Sequence, residues 1–381
     1  MDYALFLFVL SELKYNRIHS NKLGKTEPRI SEPGTPIIRI ESKMKALRYL
    51  NPHVLKTEEI DSPACAAGEA LVRVHAAGIC GSDMAIFAGK HPRAKPPLVM
   101  GHEFAGEIIE IQPGDIETPL AVGDKVTAYP LLTCGNCWAC RSGFSHVCRD
   151  LKLIGIDRDG GFAEYVSVPL DLIVKFSDPL SFDQGALIEP LAVAVHALEM
   201  AGKPEWKNAV VVGCGPIGLL VALCLQNAGI ENLLLCDISP QRVKRAAGLN
   251  FQAINSADVN LMDRVTEMTD GEGADIVFEC AGSAPAALQM CDLLRPRGKI
   301  VMVSVHKEPH PVDLRAITFK EISLIGTRVY TRSDFHRAVQ MMSDLPYQDV
   351  ISHRIDLERG AEGFAIMGQA ADACKVIINT E

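Results

Sequence analysis

The chain has 381 residues, long enough for two domains with cores of their own. It is 48% apolar and 22% charged, the balance of a water-soluble globular protein, and its net charge of −9 provides no basic field to neutralise nucleic-acid phosphates. No apolar run reads as a membrane span: Leu5–Leu10 is too short, and glycines with Pro216 interrupt Ala209–Leu225 as a strand–turn–helix would.

Residues 1–43 differ in texture from the rest. The run Leu5–Leu10 gives way to a polar stretch with Pro28, Pro33 and Pro36. Asp2 and Glu12 stand where a transit peptide avoids acid. The expectation is an N-terminal extension, disordered or upstream of the true start, with the fold beginning at Met44. From 44 to 188 the pattern predicts short strands and turns. Ala70–Ala76, Phe104–Ile111 and Asp124–Ala128 alternate as half-buried strands do.

Inside this part lies Cys134-Gly-Asn-Cys137-Trp-Ala-Cys140, followed by Cys148. Four closely spaced thiols are the ligand set of a structural Zn²⁺, tetrahedral and closed. A second, mixed constellation surrounds it in sequence. Gly78-Ile-Cys80-Gly-Ser82-Asp83 and Gly101-His102-Glu103 offer a thiolate, an imidazole and a carboxylate, and Glu189 offers a further carboxylate. Mixed sites of this kind keep an open position for water or substrate. The other seven cysteines (65, 214, 224, 236, 280, 291, 374) stand mostly in apolar contexts and read as reduced core residues. A reducing, cytoplasmic location follows as an expectation.

From Glu189 the texture changes to alternating strands and helices. Strands are predicted at Ala209–Val212, Asn232–Cys236, Asp275–Glu279, Lys299–Val303 and Ile322–Ile325, with helices such as Pro216–Ala228 and Pro240–Ala247 between them. This is α/β architecture with a parallel sheet. Gly213-Cys-Gly215-Pro216-Ile217-Gly218 sits between a strand and a helix, where glycines admit a pyrophosphate and the helix N-terminus faces it. Asp237 closes the next strand, where a carboxylate accepts ribose hydroxyls and repels a 2′-phosphate. That favours NAD over NADP, although Arg242 stands within reach of such a phosphate. The predicted division is 44–188 for a catalytic domain, 189–326 for a nucleotide domain, and 327–381 for a segment returning to the first.

Taken together, Gly-Ile-Cys-Gly-Ser-Asp, Gly-His-Glu, the four-cysteine lobe, Gly-Gly-Phe-Ala-Glu-Tyr at 160–165, Glu-Pro-Leu-Ala at 189–192 and the glycine loop carry a family resemblance. From Met44 onward the chain resembles the zinc-dependent medium-chain alcohol and polyol dehydrogenases, in the sorbitol, butanediol and hexonate branch. The resemblance implies a chaperonin-10-like β-barrel, a Rossmann domain, one catalytic and one structural zinc, NAD, and a homo-oligomer, dimer or tetramer. It implies that Cys80, His102 and Glu103 ligate the catalytic zinc and that Glu189 lies at the metal. Which carboxylate binds directly is open. It further implies that Ser82 relays the hydroxyl proton. The histidine that many relatives carry three residues later is Ala85 here. Arg328 matches an arginine near cofactor phosphate or a substrate hydroxyl. The implied reaction oxidises a secondary alcohol of a polyol, diol or sugar acid to a ketone, with NAD as hydride acceptor. The alternatives are an amino-alcohol dehydrogenase of the L-threonine type and a nucleotide-binding zinc protein without catalysis. Neither nucleic acid nor membrane is an expected partner.

Overall fold

The computed structural model describes residues 41–202, 206–369 and 372–380, so most of the 1–43 extension lies outside the described residues. The first strands are β1 (Lys43–Asn51), β2 (Val54–Asp61), β3 (Glu69–Gly78), β4 (Leu98–Val99), β5 (Glu103–Gln112), β6 (Lys125–Ala128), β7 (Leu131–Leu132), β8 (Lys152–Leu153), β9 (Tyr165–Pro169) and β10 (Ile173–Lys175). Two short helices interrupt them, α1 (Gly81–Phe87) and α2 (Trp138–Arg141). β3 is the centre of this part. It pairs antiparallel with β5 and β9, and on its far side with β18 (Lys375–Asn379), which pairs with β17 (Ile351–Asp356). The last strands of the chain therefore complete the sheet begun by the first.

The second sheet is parallel, in the order β13 (Gln252–Asn255), β12 (Asn232–Asp237), β11 (Asn208–Val212), β14 (Ala274–Glu279), β15 (Leu294–Met302), β16 (Ser323–Gly326). Its connecting helices are α4 (Pro216–Asn227), α5 (Pro240–Gly248), α6 (Leu261–Met268), α7 (Ala284–Gln289) and α8 (Leu314–Lys320). β11 is buried on both faces, and its residues alternate between two cores. Ala209 and Val211 join the large core shared with the first sheet, while Val210 and Val212 join a smaller core on the opposite face. The order reverses between β12–β11 and β11–β14, which opens a crevice at the C-terminal ends of these strands.

α3 (Phe182–Ala201) spans the expected 188/189 division without a break. Ser181 and Gln184 form a capping box at its start. Fourteen of its residues are buried, because it packs on β3, β5 and β6 to one side and on α4 and α9 (Arg332–Met341) to another. A helix buried all round carries no amphipathic period, so the sequence shows only an apolar run containing Pro190. α10 (Gly360–Gln369) packs on β17 and β18.

Candidate active site and metal centres

The reactive cluster is set by strand register. β3 ends at Gly78, which lies opposite Glu103 at the start of β5. A side chain at 78 has no room, since a Cβ there would lie 2.2 Å from Glu103 Oε2. Cys80 follows as the N-cap of α1. The ligand atoms of Cys80, His102 and Glu103 lie within 4.8 Å of one another. Asp83, not Ser82, takes part in capping α1: its Oδ2 accepts from Cys80 N at 2.8 Å. Ser82 is half-buried in the first turn of α1, and its hydroxyl hydrogen-bonds to no described residue.

The other Asp83 oxygen faces His102 Nδ1 at 3.8 Å, and both atoms are buried without a hydrogen bond. His102 therefore meets Cys80 through Nε2. Burial opposes charge on this imidazole, but the Asp83 carboxylate and the Cys80 sulfur outweigh it and hold His102 well above its ordinary pKa. An imidazole with Nδ1 turned to a carboxylate and Nε2 to a thiol is arranged as metal-ligating histidines are, with the outer carboxylate fixing the ring. Sulfur, imidazole and carboxylate together suit Zn²⁺ with an open position.

Both carboxylates of the site are held by residues far away in sequence. Lys375 Nζ, on β18, contacts Glu103 Oε1 at 2.7 Å and Oε2 at 2.6 Å, and the Ile79 carbonyl at 3.3 Å. Burial works against the Lys375 charge, and Glu103 and Cys80 more than restore it. Glu189, on α3, lies outside the tight three-residue group and accepts a hydrogen bond on Oε1 from the Tyr330 hydroxyl. Burial pushes Glu189 up to about 7, with His102 pulling down and Glu103 adding to the rise.

The second cluster fits its metal by geometry. The four lobe sulfurs lie 3.4 Å (Cys134–Cys148), 3.5 Å (Cys137–Cys140), 3.9 Å (Cys137–Cys148) and 4.0 Å (Cys134–Cys140) apart. A tetrahedron with Zn–S bonds of about 2.3 Å has edges of about 3.8 Å. Backbone N–H groups point at these sulfurs, for example Cys134 N and Asp150 N to Cys148 Sγ, both at 3.3 Å. Such donors favour thiolates, and those of Asn136 and Cys137 hold Cys134 below its ordinary pKa. Of the other cysteines, five are buried and Cys65 and Cys280 half-buried. Burial pushes Cys224 and Cys236 up to about 12, the behaviour of inert core thiols.

At the glycine loop, Gly213 adopts φ 106° and packs on the loop after β14, where a Cβ would lie 2.9 Å from Ala281 N. Gly218 is tighter, because its Cβ would lie 1.8 Å from the Gly213 carbonyl. Gly215 is the N-cap of α4, Pro216 its first residue and Ile217 half-buried in its first turn. Asp237 accepts from Cys214 N at 2.8 Å and Ser239 N at 2.9 Å, and Arg242 lies 3.7 Å away. The acid thus holds the loop's backbone. Arg328 is exposed just past β16 and forms no ion pair among the described residues; its charge reaches His146 on the lobe.

Residues 66–178 match the alcohol dehydrogenase GroES-like domain, and residues 216–344 match the zinc-binding dehydrogenase domain. The chain is 36% identical over 79% of its length to a 2-dehydro-3-deoxy-L-galactonate 5-dehydrogenase of Pseudoalteromonas atlantica, covering 87% of that protein. The chain belongs to the zinc-type alcohol dehydrogenases. It is also 32% identical to an L-threonine 3-dehydrogenase of Chelativorans sp., over 88% of the chain and 98% of the relative. Among solved structures it resembles 2R,3R-butanediol dehydrogenase from Bacillus subtilis, with a TM-score of 0.82, 29% identity and coverage of 89% and 100%. An alcohol dehydrogenase of Escherichia coli CFT073 crystallised with NADH overlays with the same TM-score, identity and coverage.

Neither Lys375 nor Tyr330 is among the site residues expected from the sequence. A lysine inside Cys374-Lys-Val-Ile-Ile-Asn379, otherwise a buried strand, was the available signal for the first. Nothing in the sequence signals that Tyr330 meets Glu189, since 141 residues separate them.

Proposed function

We propose that the chain oxidises a secondary alcohol of a polyol, diol or sugar acid to a ketone, with hydride passing to NAD. The observation that carries this reading is the cluster of Cys80, His102 and Glu103, buttressed by Asp83 and Lys375 and bordered by Glu189. Zinc held there supplies the Lewis acidity that lets a substrate hydroxyl ionise near neutral pH, and bound NAD accepts the hydride. Cys80, His102 and one carboxylate are its ligands, and Cys134, Cys137, Cys140 and Cys148 hold the structural ion.

The protein's own groups do the rest. Asp83 orients His102, and Lys375 balances Glu103. The Ser82 hydroxyl, free of other partners, receives the proton the substrate releases. With alanine at position 85, Glu189 serves as the next carrier through the oxygen that Tyr330 does not hold. The glycine loop Gly213–Gly218 seats the pyrophosphate, and Asp237 faces the adenosine ribose. The Asp237 carboxylate, fixed by Cys214 N and Ser239 N, faces where a 2′-phosphate would sit and supports NAD as the preferred cofactor. Arg328, unpaired beyond the C-terminal end of β16, suits a substrate carboxylate or the cofactor's phosphates. This reading keeps the division into 44–188 with 327–381 and 189–326, with α3 as the wall common to both.

The galactonate-type relative and the butanediol dehydrogenase support a hydroxylated substrate, and the threonine dehydrogenase relative supports an amino alcohol as the second reading. NADH formation at 340 nm by zinc-loaded protein separates them, across sorbitol, xylitol, galactitol, 2,3-butanediol, hexonic acids and L-threonine. Turnover on L-threonine alone overturns the first reading. Silence across the panel with NADH still bound returns the chain to a binding role. A Cys80→Ser variant with full activity removes the metal assignment.

A homo-oligomer is part of the proposal. β16 leaves one edge unpaired, and Val305, Leu314, Phe319 and Leu324 lie exposed near it in the chain. A second copy pairing edge to edge covers such a strand. No described helix is long and apolar enough to cross a membrane. The many free thiols, four of them in one lobe, support a reducing cytoplasm.

A further inference from the structure

Beyond the metal cluster lies a buried polar chain that the reaction scheme does not use. His196 stands on α3 two turns after Glu189 and is 3% exposed. Its Nδ1 lies 2.8 Å from Asp334 Oδ2, at the start of α9. The same oxygen accepts from Thr331 N at 2.9 Å and from Thr331 Oγ1 at 2.6 Å. Thr331 directly follows Tyr330, whose hydroxyl donates to Glu189. The path thus leaves α3 at His196, crosses to α9, and returns to α3 at Glu189.

The segment closed by this path is short and strained. Only residues 327–331 join β16 to α9, and within them Val329 adopts φ 43°, the left-handed region that a β-branched side chain avoids. Such a conformation persists only where its surroundings hold it. One end is fixed by Thr327, whose hydroxyl donates to the Met302 carbonyl at 3.0 Å. The other end is fixed by Asp334. The Tyr330 ring fills the space between, wholly buried, with Tyr129 at 5.7 Å and Phe335 at 5.5 Å. His146, from the thiolate lobe, packs across the His196 ring at 4.9 Å and limits its rotation.

We propose that His196 and Asp334 are positioning residues for the reaction: they hold the strained turn at Val329 so that the Tyr330 hydroxyl stays on Glu189. His196 touches neither substrate nor metal. It donates to the carboxylate that clamps Thr331, and the clamp sets Tyr330. Removing that donor leaves Asp334 buried with less compensation and lets the turn relax away from Glu189. The proposal rests on Glu189 acting at the reactive site, and it names what keeps Glu189 in place.

The test uses the full-length protein loaded with cobalt(II) in place of zinc, so that visible absorption reports the reactive site without turnover. The variants are His196→Phe, which keeps a ring and removes the donor, His196→Asn, whose amide restores a donor near Nδ1, and Tyr330→Phe. His196→Phe and Tyr330→Phe are expected to shift the cobalt spectrum in the same direction. Each should lower kcat by about 10- to 100-fold, the usual effect of losing a residue that supports a metal site. The Kd for NADH should stay unchanged. His196→Asn should restore both spectrum and kcat. The double variant His196→Phe, Tyr330→Phe should lose no more than the worse single one, because both break one path. Additive losses, or a wild-type spectrum and kcat in folded His196→Phe, overturn the proposal. If His196→Phe shows no cooperative melting, His196→Asn and Asp334→Asn decide. The proposal then requires a wild-type spectrum in the first and the Tyr330→Phe spectrum in the second, and any other pair of results refutes it. Absence of turnover in the wild type would count against the proposed reaction, while the cobalt spectra would still judge the path.

Discussion

Replacing Lys375 by methionine keeps most of the side chain's length and removes its charge. The perturbation falls on an ion pair that is closed to solvent, since the Lys375 and Glu103 side chains are 3% and 1% exposed and Nζ lies 2.6 Å from the nearer oxygen. Removing one member of a buried pair costs about 3–5 kcal/mol, because the other charge is left without compensation. At about 2.1 cal/mol/K of unfolding entropy per residue, about 1 kcal/mol moves Tm of a chain of this size by roughly 1.3 °C, so the metal-free variant should melt about 4–6 °C below the metal-free wild type. Zinc changes the outcome. Glu103 lies within 4.8 Å of the Cys80 and His102 ligand atoms, so a divalent cation there supplies the positive charge that Lys375 no longer does. The Tm loss in zinc-loaded protein should be smaller than that in metal-free protein by roughly a third or more. By linkage, if zinc recovers about 2 kcal/mol, the variant binds zinc about 30-fold more tightly at this site. Thermal melts of wild type and Lys375→Met, each with chelator and with added zinc, provide the four numbers. Equal losses in both metal states would show that Glu103 does not face the metal, and no loss in the metal-free state would refute the buried pair.

Three more outcomes are expected. In metal-free protein, Glu189 has a folded pKa of about 7 against an ordinary 4.5. The folded state therefore holds a proton that the unfolded chain releases, and the stability this adds is present below about pH 4.5 and is lost as pH rises through about 7. Melts of chelated protein between pH 4.5 and 8 should show that decline, and Glu189→Gln should flatten it; an unchanged slope removes Glu189 as its source. Cys140→Ser should lower bound zinc from two to one per chain and reduce Tm while NADH still binds, whereas retention of two zinc ions would dissolve the lobe assignment. Asp237→Ala removes the acceptor of Cys214 N and the negative charge proposed to face the ribose. KM for NAD should rise by about tenfold, with a smaller rise for NADP, for a hydrogen-bonded charge worth about 1.5 kcal/mol; an unchanged ratio of the two would take Asp237 out of the ribose site.

Local chemistry made much of the chain legible. Four cysteines within fifteen residues suit one tetrahedral ion, and their sulfurs do converge. The glycine loop reads in sequence because glycine is required where it occurs, as the contact of Gly218 with the Gly213 carbonyl shows. Strand and helix limits in the parallel sheet came within a residue or two at β11, β12, α4 and α5, where apolar runs alternate with turn residues. β15 begins at Leu294, before the expected Lys299, where the loop-like composition of Arg295-Pro-Arg-Gly298 hides the strand.

The sequence alone nominated the residues proposed to bind and the cofactor chemistry they suit, since those follow from residue type and short spacing. Tertiary structure alone decided how they are held. α3 runs through the point where the texture changes, and its largely buried surface leaves no amphipathic period to mark it. Lys375 reaches Glu103 only because β18 returns to pair with β3, and Tyr330 reaches Glu189 only because the turn after β16 is tied to α3 through Asp334 and His196. Each of these contacts joins residues more than a hundred positions apart. A local pattern carries no trace of such a partner, and only the packing of strands and helices brings the two together.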